Sequence, residues 1–329
     1  MQPLAFLVAD SSHVAAARQG VHKLVRDLEF DETQRGRAAV VATEVVTNMI
    51  RHAGGGTFTV RPLVSDSALG IEMLAVDSGP GMADFEQSAL DGVSTGGSAG
   101  TGLGAIRRLS DEFDVNTEHG IWTILRAALW NRLPVAALQV QVGAIVVPKR
   151  GETVSGDAWS MCHDDDGVTI LVADGLGHGP EAGRASSLAA SVLADRPGAT
   201  PAQLLERSHG LLRHTRGAAV ALIRREWAGE VRFVGIGNIV ASIIERERRQ
   251  AMVSHNGIVG HNMNRLHEYR YDWPAGAMLV AHSDGLESRW DLSAHPGIAA
   301  HHPSIIAAML YRHHSRGRDD VVVVVAKAH

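Results

Sequence analysis

The chain has a single cysteine, Cys162, in 329 residues. No internal disulfide can form, and a reducing compartment is implied. A lone small thiol among apolar neighbours is read as a half-buried packing residue rather than a nucleophile. No apolar run approaches the ~20 residues needed to cross a bilayer. The short apolar stretch Leu4 to Ala9 is closed by Asp10 and has no basic flank, so it does not read as a signal peptide. The expectation is a soluble cytoplasmic protein with no membrane insertion. Positive charge is not in excess, with 31 Lys and Arg against 36 Asp and Glu, which removes the electrostatic case for nucleic acid. The 18 histidines are scattered without the spacing of a zinc site. A basic Gly-Lys-Ser phosphate loop is also missing, which excludes a Walker-type ATPase.

What is present is ordinary globular composition, 45% hydrophobic and 20% charged, in a chain long enough for two cores. The best junction is Asn131-Arg132-Leu133-Pro134, where proline ends one strand pattern and a new alternation begins at Leu138. This predicts domains over 1–134 and 135–329. In the first, Val14 to Leu28 and Asp31 to about His52 have helical apolar spacing, with Ser11 or Ser12 and then Thr33 as candidate caps. Strands are expected over Thr57 to Leu63, Leu69 to Val76, Phe113 to Thr117 and Ile121 to Trp130.

On the second helix Glu44 and Asn48 are four apart, hence one turn from each other on one face. They can serve as a proton acceptor and a metal-holding amide, although the same pair also describes an ordinary polar face. Asp77 lies between a strand and Gly79-Pro80-Gly81, a setting with no packing role and suited to bonding an adenine amino group. Gly100-Thr101-Gly102-Leu103-Gly104 then opens a helix, and glycine-rich backbone at a helix N-terminus is a phosphate cradle by geometry and dipole.

In the second half, Val168 to Ala173 reads as a buried strand that delivers Asp174 into Gly175-Leu176-Gly177-His178-Gly179 and then a helix. His178 either orients a catalytic water or caps that helix. Asp157 follows Gly156; Asp284 precedes Gly285 after another buried strand; Asp319-Asp320 precedes Val321 to Ala326, a central strand. The acidic run His163 to Gly167 reads instead as an exposed hairpin turn. An isolated Asp-Gly is most often a turn, but several aspartates at strand ends of one β-rich domain can converge on two hard cations.

The ordered boxes of the first half resemble the ATP-binding boxes of the GHKL ATPase superfamily, and more narrowly the RsbT-like and anti-sigma serine kinases. That resemblance implies a GHKL-type α/β sandwich in which Asn48 helps hold Mg2+ on ATP. It further implies that Asp77, Gly79 and Gly81 form the adenine pocket and that Gly100, Thr101, Gly102, Leu103 and Gly104 cover the phosphates. Glu44 would be the base or positioning group for the acceptor hydroxyl. The second half resembles the PPM metal-dependent serine/threonine phosphatases of the SpoIIE-like branch, closest to the short RsbX-like form. This implies a β-sandwich flanked by helices, an α+β chain overall. Asp157, Asp174, the Gly175 carbonyl, Asp284 and Asp319 would bind two Mn2+ or Mg2+ ions, with Asp319 preferred over Asp320. Water would then attack a phosphoseryl or phosphothreonyl ester in line. The substrate-binding arginine or lysine common in that family has no clear counterpart, with Lys149 and Arg150 nearest.

Together the resemblances imply a bifunctional switch acting on STAS-domain antagonist or scaffold proteins in a partner-switching or stressosome pathway, with other sigma-factor regulators as further partners and a homo-oligomer compatible with the reading. The alternative is a phosphatase governed by a nucleotide-binding docking module that transfers no phosphate.

Overall fold

The computed structural model describes residues 3–65, 67–85, 102–135, 139–195, 198–246, 248–263 and 266–328. Two compact units emerge, Met1–Ala137 with Gly297–Ala308, and Leu138–Pro296 with Met309–His329.

In the first unit, helices α1 (Ser12–Asp27) and α2 (Glu32–Ala53) follow strand β1 (Leu4–Val8). Strands β2 (Gly56–Val64) and β3 (Leu69–Asp77), helix α3 (Gly102–Leu109), and strands β4 (Glu112–Glu118) and β5 (Trp122–Trp130) complete it. The antiparallel sheet has the order β1-β2-β3-β5-β4. Strand alternation sorts its residues by face. Phe58, Val60, Ile71, Met73, Ala75, Leu125, Ala127 and Leu129 join the helix stripes Ala17, Val21, Val25 and Ala38, Val41, Val45 in one core.

Helix α2 starts at Asp31, whose carboxylate accepts from Gln34 N while Gln34 returns a bond to Asp31 N. The cap is this box and not Thr33, because Asp31 has the extended backbone that a capping residue needs. At α1 neither Ser11 nor Ser12 caps through its side chain; Asp10 accepts from the Ser12 backbone and hydroxyl instead. Gly54, left-handed at φ 70°, ends α2. The second face of the sheet carries the buried residues Arg61, Glu72 and Arg126. Glu72 accepts from Arg61 Nε and Arg126 Nε, both at 2.6 Å, and from the Ser304 hydroxyl at 2.9 Å.

The second unit contains two five-stranded sheets. One has the order β13-β10-β9-β8-β7 and the other β12-β11-β14-β15-β6. These strands are β6 (Val140–Val147), β7 (Asp157–Asp164), β8 (Gly167–Gly175), β9 (Ala218–Glu226), β10 (Glu230–Ile236), β11 (Val240–Glu245), β12 (Arg248–Ala251), β13 (Tyr269–Asp272), β14 (Met278–His282) and β15 (Val321–Ala328). Val168, Ile170 and Val172 join Val322, Val324 and Ala326 in one core. The alternate residues Leu171 and Ala173 pack with helices α4 (Gly179–Asp195) and α5 (Pro201–Leu212). Both faces of β8 are therefore dry, which is why Val168 to Ala173 reads as an apolar run interrupted only by Thr169, whose hydroxyl accepts from Arg224.

The hairpin turn between β7 and β8 is exposed at Asp165 and Asp166, but Asp164 departs from the expected exposed acidic run. Both its oxygens bond the Arg224 guanidinium at 2.8 and 2.9 Å. Among the described residues, strand β13, the short 3-10 helix Ile298–Ala300 and the helix Pro303–His314 did not show in the sequence pattern. Among the described residues no helix is long and apolar enough to cross a membrane.

Candidate functional site

In the first unit the helix spacing puts Glu44 and Asn48 beside the start of α3. A Cβ added at Gly102 would lie 2.9 Å from Glu44 Oε2, 3.3 Å from Asn48 Oδ1 and 3.4 Å from Asn48 Nδ2. A larger residue there would push the Glu44 carboxylate aside. Among the described residues the buried Asn48 Nδ2 has no hydrogen-bond partner, a costly state that an incoming phosphate oxygen would relieve.

Asp77 ends β3 opposite Thr123, and its Oδ1 accepts from Gly79 N at 2.9 Å. Gly79 packs against Ala53, where a Cβ would come within 2.6 Å of the Ala53 Cβ. Gly81 is left-handed at φ 56°, and a Cβ there would meet the Glu118 carbonyl at 2.1 Å. The neighbouring hydroxyls of Thr117 and Thr123 lie 3.2 Å apart. Sequence reasoning passed over both because it looked for carboxylates and glycines. Of the cradle residues, Gly104 is buried in α3 and the Leu103 side chain packs on the helix–sheet core, so Leu103 can offer only its backbone. Gly100, Thr101 and the segment Asp91 to Thr95 lie outside the described residues.

In the second unit Asp174, Asp284 and Asp319 line one cleft of about 240 Å³ with Lys149, Gly177, His178 and Asn238. Asp174 sits at the end of β8, paired across the ladder with Asp157 at the start of β7. The Asn238 amide donates to Asp284 Oδ2 at 2.8 Å and to Asp174 Oδ2 at 3.4 Å. Asn238 lies in the turn between β10 and β11, and as a neutral amide it is not marked by any pattern of acidic ligands. Asp157, 5% exposed, accepts from the Ser283 hydroxyl at 2.6 Å. Gly175 N donates to Gly156 O at 3.0 Å, tying the two ligand-bearing strands together.

The electrostatics of the group are unfavourable by themselves. Burial pushes the Asp174 carboxyl up to about 7, and the charges of Asp284 and Asp319 add to this. Burial and the nearby Asp174 raise Asp157 well above the usual carboxylate range. Asp320 is raised by burial, although backbone hydrogen bonds from Lys149, 2.8 Å to its Oδ1, and from Gly156 work the other way. Among the described residues no three His, Cys, Asp or Glu side chains stand close enough together to hold a metal ion as they are placed; the Asn238 amide bridges Asp174 and Asp284 instead. Clustered carboxylates that raise one another fit hard divalent cations, which would restore their charged forms. Asp319 faces the cleft, whereas Asp320 is turned to the Lys149 backbone. His178 bonds Glu152 through Nδ1 at 2.7 Å.

The comparisons fall on the same two regions. The histidine kinase-like ATPase domain model matches residues 7–127, and the stage II sporulation protein E (SpoIIE) model matches residues 164–329. Serine/threonine-protein kinase RsbT of Bacillus subtilis (strain 168) is 32% identical over 119 residues, 36% of this chain and 90% of that protein. Phosphoserine phosphatase RsbX of the same organism is 22% identical over 141 residues, 42% of this chain and 70% of that protein. A solved structure of RsbX in complex with magnesium shares the fold, with a TM-score of 0.52 and 19% identity over 58% of this chain and 96% of that one. A structure from work on the bacterial stressosome as a modular system controlling secondary messenger signaling gives a TM-score of 0.54 and 28% identity, over 57% and 99% of the respective chains.

Proposed function

Because the chain belongs to the SpoIIE family over residues 164–329 and carries an RsbT-like ATPase domain before it, we propose that it is a two-way switch enzyme. Residues 1–134 would transfer phosphate from ATP to a serine or threonine, and residues 135–329 would remove it. The substrate proposed is a STAS-domain protein of a stressosome or partner-switching pathway, in the cytoplasm; the likeness to a structure from stressosome work supports the pathway, and the STAS class rests on the family resemblance.

The observation that carries the reading is the convergence of Asp174, Asp284 and Asp319 on one cleft with Asp157 buried behind it. These residues and the Gly175 carbonyl would hold two Mg2+ or Mn2+ ions, which when bound supply charge neutralisation and an activated water. Asp157 and Asp174 bind from adjacent strands, so the ladder fixes their separation. Ser283 holds the Asp157 carboxylate in place. Asn238 orients Asp174 and Asp284.

In the first unit Asn48 would hold the Mg2+ that accompanies ATP, Asp77 would accept from the adenine amino group, and Gly79 and Gly81 would keep that pocket open. Glu44, against the Gly102 backbone, would accept the proton of the attacking hydroxyl. Retention of this carboxylate favours transfer over mere nucleotide binding.

Incubation of the purified chain with labelled ATP, Mg2+ and a candidate STAS protein tests both halves. Glu44→Gln should lower phosphorylation about 10²- to 10⁴-fold. Asp174→Asn should leave phosphorylation intact and abolish removal. Label that never reaches any partner would leave the first unit as a nucleotide-binding docking module. Full phosphatase activity in Asp174→Asn would refute the metal assignment.

A further inference from the structure

Four carboxylates, Asp157, Asp174, Asp284 and Asp319, would be balanced by two divalent ions, so the anionic phosphate ester that enters brings negative charge the site has not yet offset. A further cation at the cleft would meet it. Lys149 lines the cleft, but a second group is better built for the task.

Arg216 precedes β9 in an exposed turn whose backbone is strapped to the turn following Asp174. Leu176 N donates to Gly217 O at 3.0 Å, Gly217 N donates to Thr215 Oγ1 at 3.0 Å, and Thr215 Oγ1 donates to Leu212 O at 2.8 Å. The His261 ring meets Thr215 O at 3.1 Å. Gly217 is left-handed at φ 82°, and a Cβ there would strike the Ile258 side chain at 2.6 Å. The turn therefore has one defined path. It brings the guanidinium over Gly177, a residue of the cleft, where a Cβ would lie 2.9 Å from Arg216 Nη1.

Neighbouring arginines of the same sheet are committed elsewhere, Arg224 to Asp164 and Arg232 to Glu226. The Arg216 guanidinium has no hydrogen-bond or ion-pair partner among the described residues. A planar, permanently charged fork left unpaired beside an acidic cleft is suited to a tetrahedral oxyanion, which it can grip through two parallel bonds.

We propose that Arg216 is the residue that recognises the phosphoryl group of the substrate at the mouth of the Asp174 cleft. The assignment rests on the phosphatase reading of that cleft. It places the group far along the chain from Lys149 and Arg150, next to the glycine turn instead.

The test uses the full chain loaded with Mn2+, para-nitrophenyl phosphate as substrate and inorganic phosphate as competitive inhibitor. Arg216→Ala should raise KM about tenfold or more, the loss expected for hydrogen bonds to a charged group, and should raise the inhibition constant of inorganic phosphate in parallel. The melting temperature should stay at the wild-type value. Arg216→Lys should recover part of both effects, since charge returns without the fork.

An unchanged KM and inhibition constant in Arg216→Ala, with Asp174→Asn inactive, would overturn the Arg216 assignment alone. A lowered melting temperature with unchanged phosphate inhibition would overturn it too, reducing Arg216 to a strap of the turn. No hydrolysis by the wild type, or full hydrolysis by Asp174→Asn, would instead remove the phosphatase reading beneath it. A KM effect confined to a phosphoserine peptide and absent with para-nitrophenyl phosphate would also overturn it, moving Arg216 from the phosphoryl group to the flanking chain.

Discussion

Glu72 in the first unit and Asp157 in the second are both sealed from water, at 1% and 5% exposure, but their surroundings answer the cost of burial in opposite ways. Burial raises the Glu72 pKa, and the adjacent Arg61 and Arg126 charges outweigh it, holding the carboxyl well below the usual range. Asp157 meets burial and then the like charge of Asp174, so both effects push upward. A compensated buried acid serves the fold, whereas an uncompensated one leaves room for a cation from solution. The contrast separates a structural charge cluster from a binding one without reference to any relative.

The largest test of this contrast is Glu72→Ala, which strands two arginines on the buried sheet face. It should destabilise the first unit by about 3–5 kcal/mol in calorimetric or denaturant unfolding. The counterpart, Asp157→Asn, should have the opposite sign in metal-free protein, stabilising the second unit, because burial and Asp174 both disfavour the charged form of that carboxyl. Its divalent-ion affinity should fall at the same time, as read by titration calorimetry. A loss of stability in metal-free Asp157→Asn would break the comparison.

The pH response sharpens it further. Burial and its acidic neighbours push the folded Asp174 carboxyl up to about 7, against an ordinary 3.8 in the unfolded chain. Between those values the metal-free fold binds more protons than the unfolded chain, so its stability falls as pH rises through that window. Glu72, lowered from 4.5, behaves conversely: its contribution is complete above that value and is lost only as pH falls through its folded pKa. Metal-free protein should therefore show a second-unit transition that melts lower at pH 7.5 than at pH 5.5, with little change in the first unit. Saturating Mg2+ or Mn2+ should remove the difference. A smaller effect than at Glu72 is expected at Asp164, whose two oxygens hold the buried Arg224 guanidinium. Asp164→Asn keeps one acceptor oxygen, so it should cost about 1–3 kcal/mol and leave ion binding untouched.

Much of this was legible in the sequence because period and punctuation agreed. β8 announced itself by the apolar run Val168 to Ala173, interrupted only by Thr169 and stopped at Asp174-Gly175, and α2 by its apolar spacing, which also fixed Glu44 and Asn48 one turn apart. The helix Pro303–His314 was hidden for a physical reason. Ile305 to Leu310 are all fully buried, so the segment is apolar all round and lacks the one-sided stripe that marks a surface helix. β13 is only four residues, Tyr269–Asp272, alternating intermediate and exposed positions. The partners that complete the sites, such as Asn238 between two aspartates and Arg216 over Gly177, are brought close by the fold across long stretches of chain. No local spacing reports them.

Asp319 and Asp320 carry one last consequence. They precede a strand whose register is pinned on both sides, Val321 opposite Val147 and His282 opposite Val323. Adjacent residues there point to opposite sides, so Asp319 looks into the cleft while Asp320 holds the Lys149 backbone. The pair behaves like a reading frame of two letters: one residue inserted between Asp320 and Val321 would leave the composition of the segment almost unchanged and exchange which carboxylate is read by the cleft.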